Sequence, residues 1–144
     1  MFNDPKVLAR SALELVTLAN QPGVPTTTVA ALELGAATLC NHVRDWHVKE
    51  GCEPQGHASF KVMFPDWGPL CQISNGAKHA MPNIRDPGKT KMRDVEWEDD
   101  DFWSADHGRP TLFVGVAGKQ RAVSALVWQF ANDYIDKAGP PRAP

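Results

Sequence analysis

The feature that most constrains this chain is one apolar stripe between residues 29 and 46. Val29, Leu32, Ala36, Leu39, Val43 and Trp46 recur at alternating steps of three and four. An α-helix turns once per ~3.6 residues, so this spacing lines all six along one face. The pattern predicts a long amphipathic helix with Trp46 at the end of a buried seam. Thr26 or Thr27 can cap it, and Gly51 suits a left-handed stop. Gly35 lies mid-helix, where glycine costs ~1 kcal/mol relative to alanine. Close approach of a second helix would account for it.

The rest of the chain supplies partners for that seam. Asp4 and Pro5 are a capping residue and a first-turn proline. Val7, Leu8, Ser11, Leu15 and Leu18 follow at helical spacing, widened by Ala12 and Val16, until Gln21-Pro22-Gly23. Residues 52–65 read as a loop whose Phe60, Val62, Met63 and Phe64 tuck into the core. Asp66 then caps a third helix with Pro69 in its first turn, Leu70, Ile73, Ala77 and Ala80 as its buried stripe, and Pro82 as its end. After a loop over 83–91, Arg93 to Glu98 and Thr111 to Val116 read as two strands that pair into an antiparallel ribbon. Gly118 turns the chain into a last helix with Val123, Leu126, Val127, Phe130, Tyr134 and Ile135 on its apolar face. Gly139-Pro140-Pro141 stops it. The expected fold is mainly α: a four-helix bundle with a small antiparallel two-stranded β ribbon before the C-terminal helix. It forms a single domain over 1–139, with 140–144 as a disordered tail.

Composition narrows the function. A length of 144 residues with 42% hydrophobic content is enough for a core without disulfide or metal staples. A net charge of −2 argues against a surface devoted wholly to nucleic acid, though not against a local basic site. No apolar run approaches the ~20 residues that span a bilayer, and the N-terminal MFNDPKVLARS has no signal-peptide pattern. Cys40, Cys52 and Cys71 are odd in number, with no C-x-x-C pair. A reducing, cytoplasmic setting with no membrane partner is expected.

Polar residues crowd into two places. Asn41, His42, Arg44, Asp45 and His47 fall within two turns of the second predicted helix. Ser74, Asn75, Gly76, Lys78 and His79 lie on the third, with Asn75 and His79 four apart on one face. If the two helices pack antiparallel, Asp45 meets Lys78 or His79. Such a cluster can hold a phosphate or move a proton, and it can equally serve to orient two helices. The cysteines and histidines do not form the two close ligand pairs of a structural zinc site, so neither a metal nor another cofactor is expected. Glu96, Glu98, Asp99, Asp100 and Asp101 form an acidic run that reads as a solvated turn. No P-loop, dinucleotide fingerprint or serine-hydrolase elbow occurs.

The combination of Asp45-Trp46 with Asn75-Gly76-Ala77-Lys78-His79 resembles small helical bacterial proteins that look like distant relatives of the HEPN superfamily. The resemblance spans roughly residues 29–81. It implies a helical fold and one of two functions. Many HEPN proteins are dimeric, metal-independent ribonucleases in which an Arg and a His, separated by four to six residues, cleave RNA at the dimer interface. Others are non-catalytic binding modules. Here His47 follows Arg44 with only two residues between, and no other Arg has a His at the family spacing.

Two functional expectations follow. The first is an accessory protein, in a prophage or defence setting, that binds a protein partner or a second copy of itself. Asn75, Trp97, Phe102 and Trp103, together with Trp67, are its candidate contact residues. The second is a metal-independent ribonuclease. There His79 acts as general base, Arg44 and Lys78 stabilise phosphate charge, and Asp45 orients one of them.

Overall fold

The computed structural model describes residues 4–78 and 111–139. Along them run α1 (Pro5–Ala19), α2 (Thr26–Lys49), α3 (His57–Met63), α4 (Trp67–Lys78), β1 (Phe113–Val116), β2 (Lys119–Ala122) and α5 (Val123–Lys137). The fold is mainly helical, with a two-stranded antiparallel sheet just before the last helix.

α1 begins where the Asp4 side chain accepts the Lys6 backbone N–H at 2.9 Å, with Pro5 as its first residue. A short turn returns the chain into α2, which packs antiparallel to α1. The buried positions of both helices are mostly small: Ala9, Ala12 and Ala19 on α1, and Ala30, Ala36 and Ala37 on α2. Small side chains let two backbones close in. A Cβ placed on Gly35 would stand 3.4 Å from Leu15 Cδ1, a tight contact with the neighbouring helix.

The buried seam of α2 is turned by one residue from the predicted stripe. Val29, Ala36 and Val43 are buried as expected, but their companions are Glu33, Cys40 and His47, not Leu32, Leu39 and Trp46. Both sets satisfy the same three-and-four spacing. The seam with alanine and cysteine allows closer packing, and its two polar members find partners inside. The bulkier Leu32, Leu39 and Trp46 lie half-buried along its margin. α1 shows the same rotation: Leu18 is 51% exposed, while Ala9, Ala12, Val16 and Ala19 face inward. Trp46→Ala is therefore expected to lower stability by ~1–2 kcal/mol, below the ~3–5 kcal/mol of a fully buried ring. A urea melt giving the larger loss would put Trp46 back in the core.

Residues 57–63 form a helix where the sequence reads as a loop. α3 inserts Phe60 and delivers Phe64, both fully buried, whereas Val62 is 83% exposed and Met63 is exposed too. Seven residues make barely two turns, too short for a periodicity to register, and a helix this short holds its shape through docking. Its anchor is Phe60, whose ring lies 5.0 Å from that of Phe64, 5.6 Å from Trp67, 6.4 Å from Phe130 and 6.3 Å from Tyr134. Trp67 belongs to this aromatic core and is not a contact residue on the surface.

The strand at Thr111 to Val116 is present as β1, but its partner differs from the expected one. β2 follows at once, pairing Phe113 with Ala122 and Val116 with Lys119. The turn between them is Ala117-Gly118, with φ of 51° and 79°. Two successive positive φ values suit the right-handed twist of a tight hairpin. Gly118 thus turns the chain into β2, and α5 starts later, at Val123. The expected first strand, residues 93–98, lies outside the described residues. Arg121 on β2 reaches Asp66 at 2.9 Å, tying the hairpin to the approach to α4. On α5, Val123, Leu126, Val127, Phe130 and Tyr134 are buried as predicted, and Trp128 is exposed. No described helix is long and apolar enough to cross a membrane.

Candidate functional site

The residues singled out from sequence separate into three groups. Asp45 is exposed, and its Oδ2 stands 3.4 Å from Nδ1 of His42, one turn away on α2. Asn75 is exposed and donates from Nδ2 to Cys71 Sγ at 3.5 Å. Lys78 is the last residue of α4; its side chain, His79, Trp97, Phe102 and Trp103 lie outside the described residues. Arg44 makes the third group, because it points toward Phe60 of α3.

The placement of Arg44 follows from the way α2, α3 and α4 meet. α4 is held against α2 by a polar chain. Asn41 Nδ2 donates to Ser74 Oγ at 3.3 Å, Ser74 Oγ donates to Thr38 Oγ1 at 3.4 Å, and the Trp67 indole N–H donates to the Asn41 carbonyl at 3.4 Å. The indole is thereby fixed beside α2. Arg44 stacks its guanidinium over this ring and over Phe60, 5.9 Å from each centroid. Two further basic side chains contact the same indole. Lys61 Nζ is 6.0 Å from its centroid, and the His57 ring lies edge-on at 5.5 Å. His57 and Lys61 are four apart on α3 and so share a face.

Three basic groups thus surround one tryptophan. Among the described residues, no carboxylate lies within ion-pair distance of Arg44 or Lys61; the ion pairs there join His42 to Asp45, Arg121 to Asp66 and Lys137 to Asp133. Arg44 Nε is buried and has no hydrogen-bond partner among them. Around His57 the charged neighbours are the cations Arg44 and Lys61, while Asp45 acts on the nearby Cys71. Partial desolvation lowers the basicity of His57, and repulsion from Arg44 and then Lys61 lowers it further. Burial pushes the Cys71 thiol up, and Asp45 adds to it, against the pull of Lys61, the Asn75 hydrogen bond and Arg44. The cluster is suited to holding an anion.

Two buried polar residues of α2 were not anticipated. Glu33, 1% exposed, accepts the Leu112 backbone N–H and the Thr111 hydroxyl, each at 2.9 Å. Ser124, whose hydroxyl lies 3.3 Å from that of Thr111, also favours the charged carboxylate, so Glu33 of α2 is tied to the start of α5. Burial raises its pKa to about 7, only partly offset by these bonds. His47 sits between Tyr134 Oη at 2.6 Å and the Pro54 carbonyl at 2.9 Å. A carbonyl can only accept, so Nε2 carries the proton, and Nδ1 accepts from the tyrosine hydroxyl. Burial lowers its pKa. Both residues lack access to a substrate, and their work is to hold α5. Glu33 and His47 fall in step with Val29, Ala36, Cys40 and Val43, but the leucine and tryptophan stripe beside them satisfies the same spacing, so the period alone does not mark them. His57 and Lys61 had only their four-residue separation to mark them. Among the described residues, no group of three His, Cys, Asp or Glu side chains could hold a metal ion.

Comparison with known protein families, curated proteins and solved structures finds no match to this chain.

Proposed function

We propose that this is a small helical binding module that engages a partner protein through the α3 face, without catalysis of its own. The observation that supports this reading most is the make-up of that face. Lys61, Val62 and Met63 run together on the exposed side of a short helix, with Val62 83% exposed. Basic and apolar side chains side by side are the ingredients of a protein contact, with the apolar part desolvated and the charge setting orientation. The prophage or defence setting of such an accessory role belongs to the same proposal.

The ribonuclease is the second reading, favoured by one observation: the Arg44 guanidinium lies over two rings, 5.9 Å from each centroid, and acts electrostatically on His57. An enzyme needs a base within reach of a ribose hydroxyl, and His57, with lowered basicity, is a candidate beside the His79 expected from sequence. Its spacing from Arg44, twelve residues between them, does not match the family pattern.

One experiment separates the readings. A photo-crosslinking amino acid at position 62, used in cells that express the protein, is expected to give discrete protein adducts that persist after ribonuclease treatment. The same probe at Leu18, exposed on α1 far along the chain, should not give them. Adducts that vanish with ribonuclease, or RNA cleavage by purified protein in the presence of chelator, would reject the binding-module reading.

A further inference from the structure

We propose that Arg44, His57 and Lys61 form a receptor for a phosphate dianion borne on a side chain of the partner protein. This rests on the protein-binding reading above and says what anchors the partner. The argument begins with Arg44. Its guanidinium lies over Phe60 and Trp67 at 5.9 Å from each centroid, which restricts a long side chain before a ligand arrives. A planar guanidinium offers paired N–H donors that match two phosphate oxygens, and Lys61 adds a point charge on a flexible stem. His57, one turn before Lys61 and against the same indole, supplies a third donor once protonated.

The charge balance favours a dianion over a single carboxylate. The charged groups acting on His57 are Arg44 from α2 and Lys61 from its own helix, and both disfavour its protonation. No carboxylate acts on it among the described residues. A bound phosphate would neutralise the two cations and reverse their effect on the imidazole. Ligand binding and His57 protonation are then linked, which gives the proposal a spectroscopic signature.

The surroundings favour protein over nucleic acid as the carrier. Single-stranded nucleic acid is held by exposed aromatic faces on which bases stack. Here the rings are turned inward: Trp67 is 5% exposed and Phe60 is fully buried. Next to Lys61 stand Val62 and Met63, aliphatic and exposed, which suit the residues flanking a phosphorylated side chain.

The test uses the whole chain and follows the His57 ring resonances by NMR through a pH titration at constant ionic strength. Inorganic phosphate at tens of millimolar is expected to raise the His57 pKa by about half a unit or more. A phosphoserine peptide with apolar flanks should do so at ~10-fold lower concentration or less, and its unphosphorylated twin should not bind. Arg44→Gln should weaken peptide binding by ~10-fold or more, as loss of a charge-assisted contact does. Because Arg44 also packs on the core, Lys61→Gln serves as the variant whose fold is safe, with a several-fold loss expected. An unmoved His57 at saturating phosphate overturns the site, whatever the crosslinking from position 62 returns. Inorganic phosphate binding as tightly as the peptide overturns the protein-borne source and assigns the site to free phosphate. An oligonucleotide without terminal phosphates that outcompetes the phosphopeptide overturns the choice of protein over nucleic acid.

Discussion

Phe60→Ala is expected to lower the free energy of unfolding by ~3–5 kcal/mol. Its ring is fully buried and meets His47, Phe64, Trp67, Phe130 and Tyr134, which come from α2, the residue after α3, α4 and α5. Four elements thus share one side chain, and little around it is free to collapse into the void. The Arg44 guanidinium rests on the same ring, so the variant should also loosen the basic cluster. Urea denaturation followed by tryptophan fluorescence measures the loss. A value under ~1 kcal/mol would mean that α3 is not docked as described. Phe60→Leu, which keeps most of the volume, should lose under ~1.5 kcal/mol.

The second large effect is a pH dependence centred on Glu33. Burial holds its carboxyl at about 7 in the folded chain, against an ordinary 4.5. Between these values the folded state binds the proton more tightly than the unfolded state. Its contribution is therefore complete below the unfolded value and is lost as pH rises through about 7. The shift corresponds to about 3 kcal/mol at 1.36 kcal/mol per unit, of which ~2–3 kcal/mol should disappear between about pH 5 and about pH 8. His47 works in the opposite sense. Its lowered pKa makes stability present above the ordinary 6.5 and lost as pH falls below it. Glu33→Gln isolates the carboxyl, since His47 is common to both proteins and the amide can imitate the protonated acid toward Leu112 and Thr111. The variant is expected to gain on the wild type by ~2–3 kcal/mol from about pH 5 to about pH 8. A difference that does not change with pH would show an ordinary carboxyl at position 33.

The helices were legible because their punctuation and period agree. Asp4-Pro5 opens α1, and α5 carries an uninterrupted apolar face from Val123 to Tyr134. The facing of α1 and α2 was not legible, because hydrophobicity ranks leucine and tryptophan above alanine. Packing rewards instead the residues that let helices approach, and alanine does so better than leucine. The same ranking hid Glu33 and His47, which look like surface residues until their partners Leu112, Thr111, Tyr134 and Pro54 are known. Those partners lie far off in sequence for all but Pro54, and no local pattern announces them. The second strand was missed because Lys119, Gln120 and Arg121 have no apolar alternation; a hairpin turn holds them in place. Of the candidate site, Arg44 was identified from its helix. Its neighbours His57 and Lys61 sit on a segment whose helicity depends on docking.

The two buried polar residues of α2 also determine where α5 can sit. Glu33 meets Ser124 near the start of α5, and His47 meets Tyr134 near its end, so the two helices run parallel. An apolar interface alone tolerates sliding, since one leucine-like surface resembles the next. A slip of α5 by a single turn, ~5.4 Å, would strand a carboxylate at one end and an imidazole at the other. The pair therefore acts as a vernier, accepting one alignment and rejecting its neighbours at both ends together. During folding, α5 should lock only when both marks coincide, so its amides are expected to gain hydrogen-exchange protection as a single block, without a gradual zippering from Val123 to Lys137.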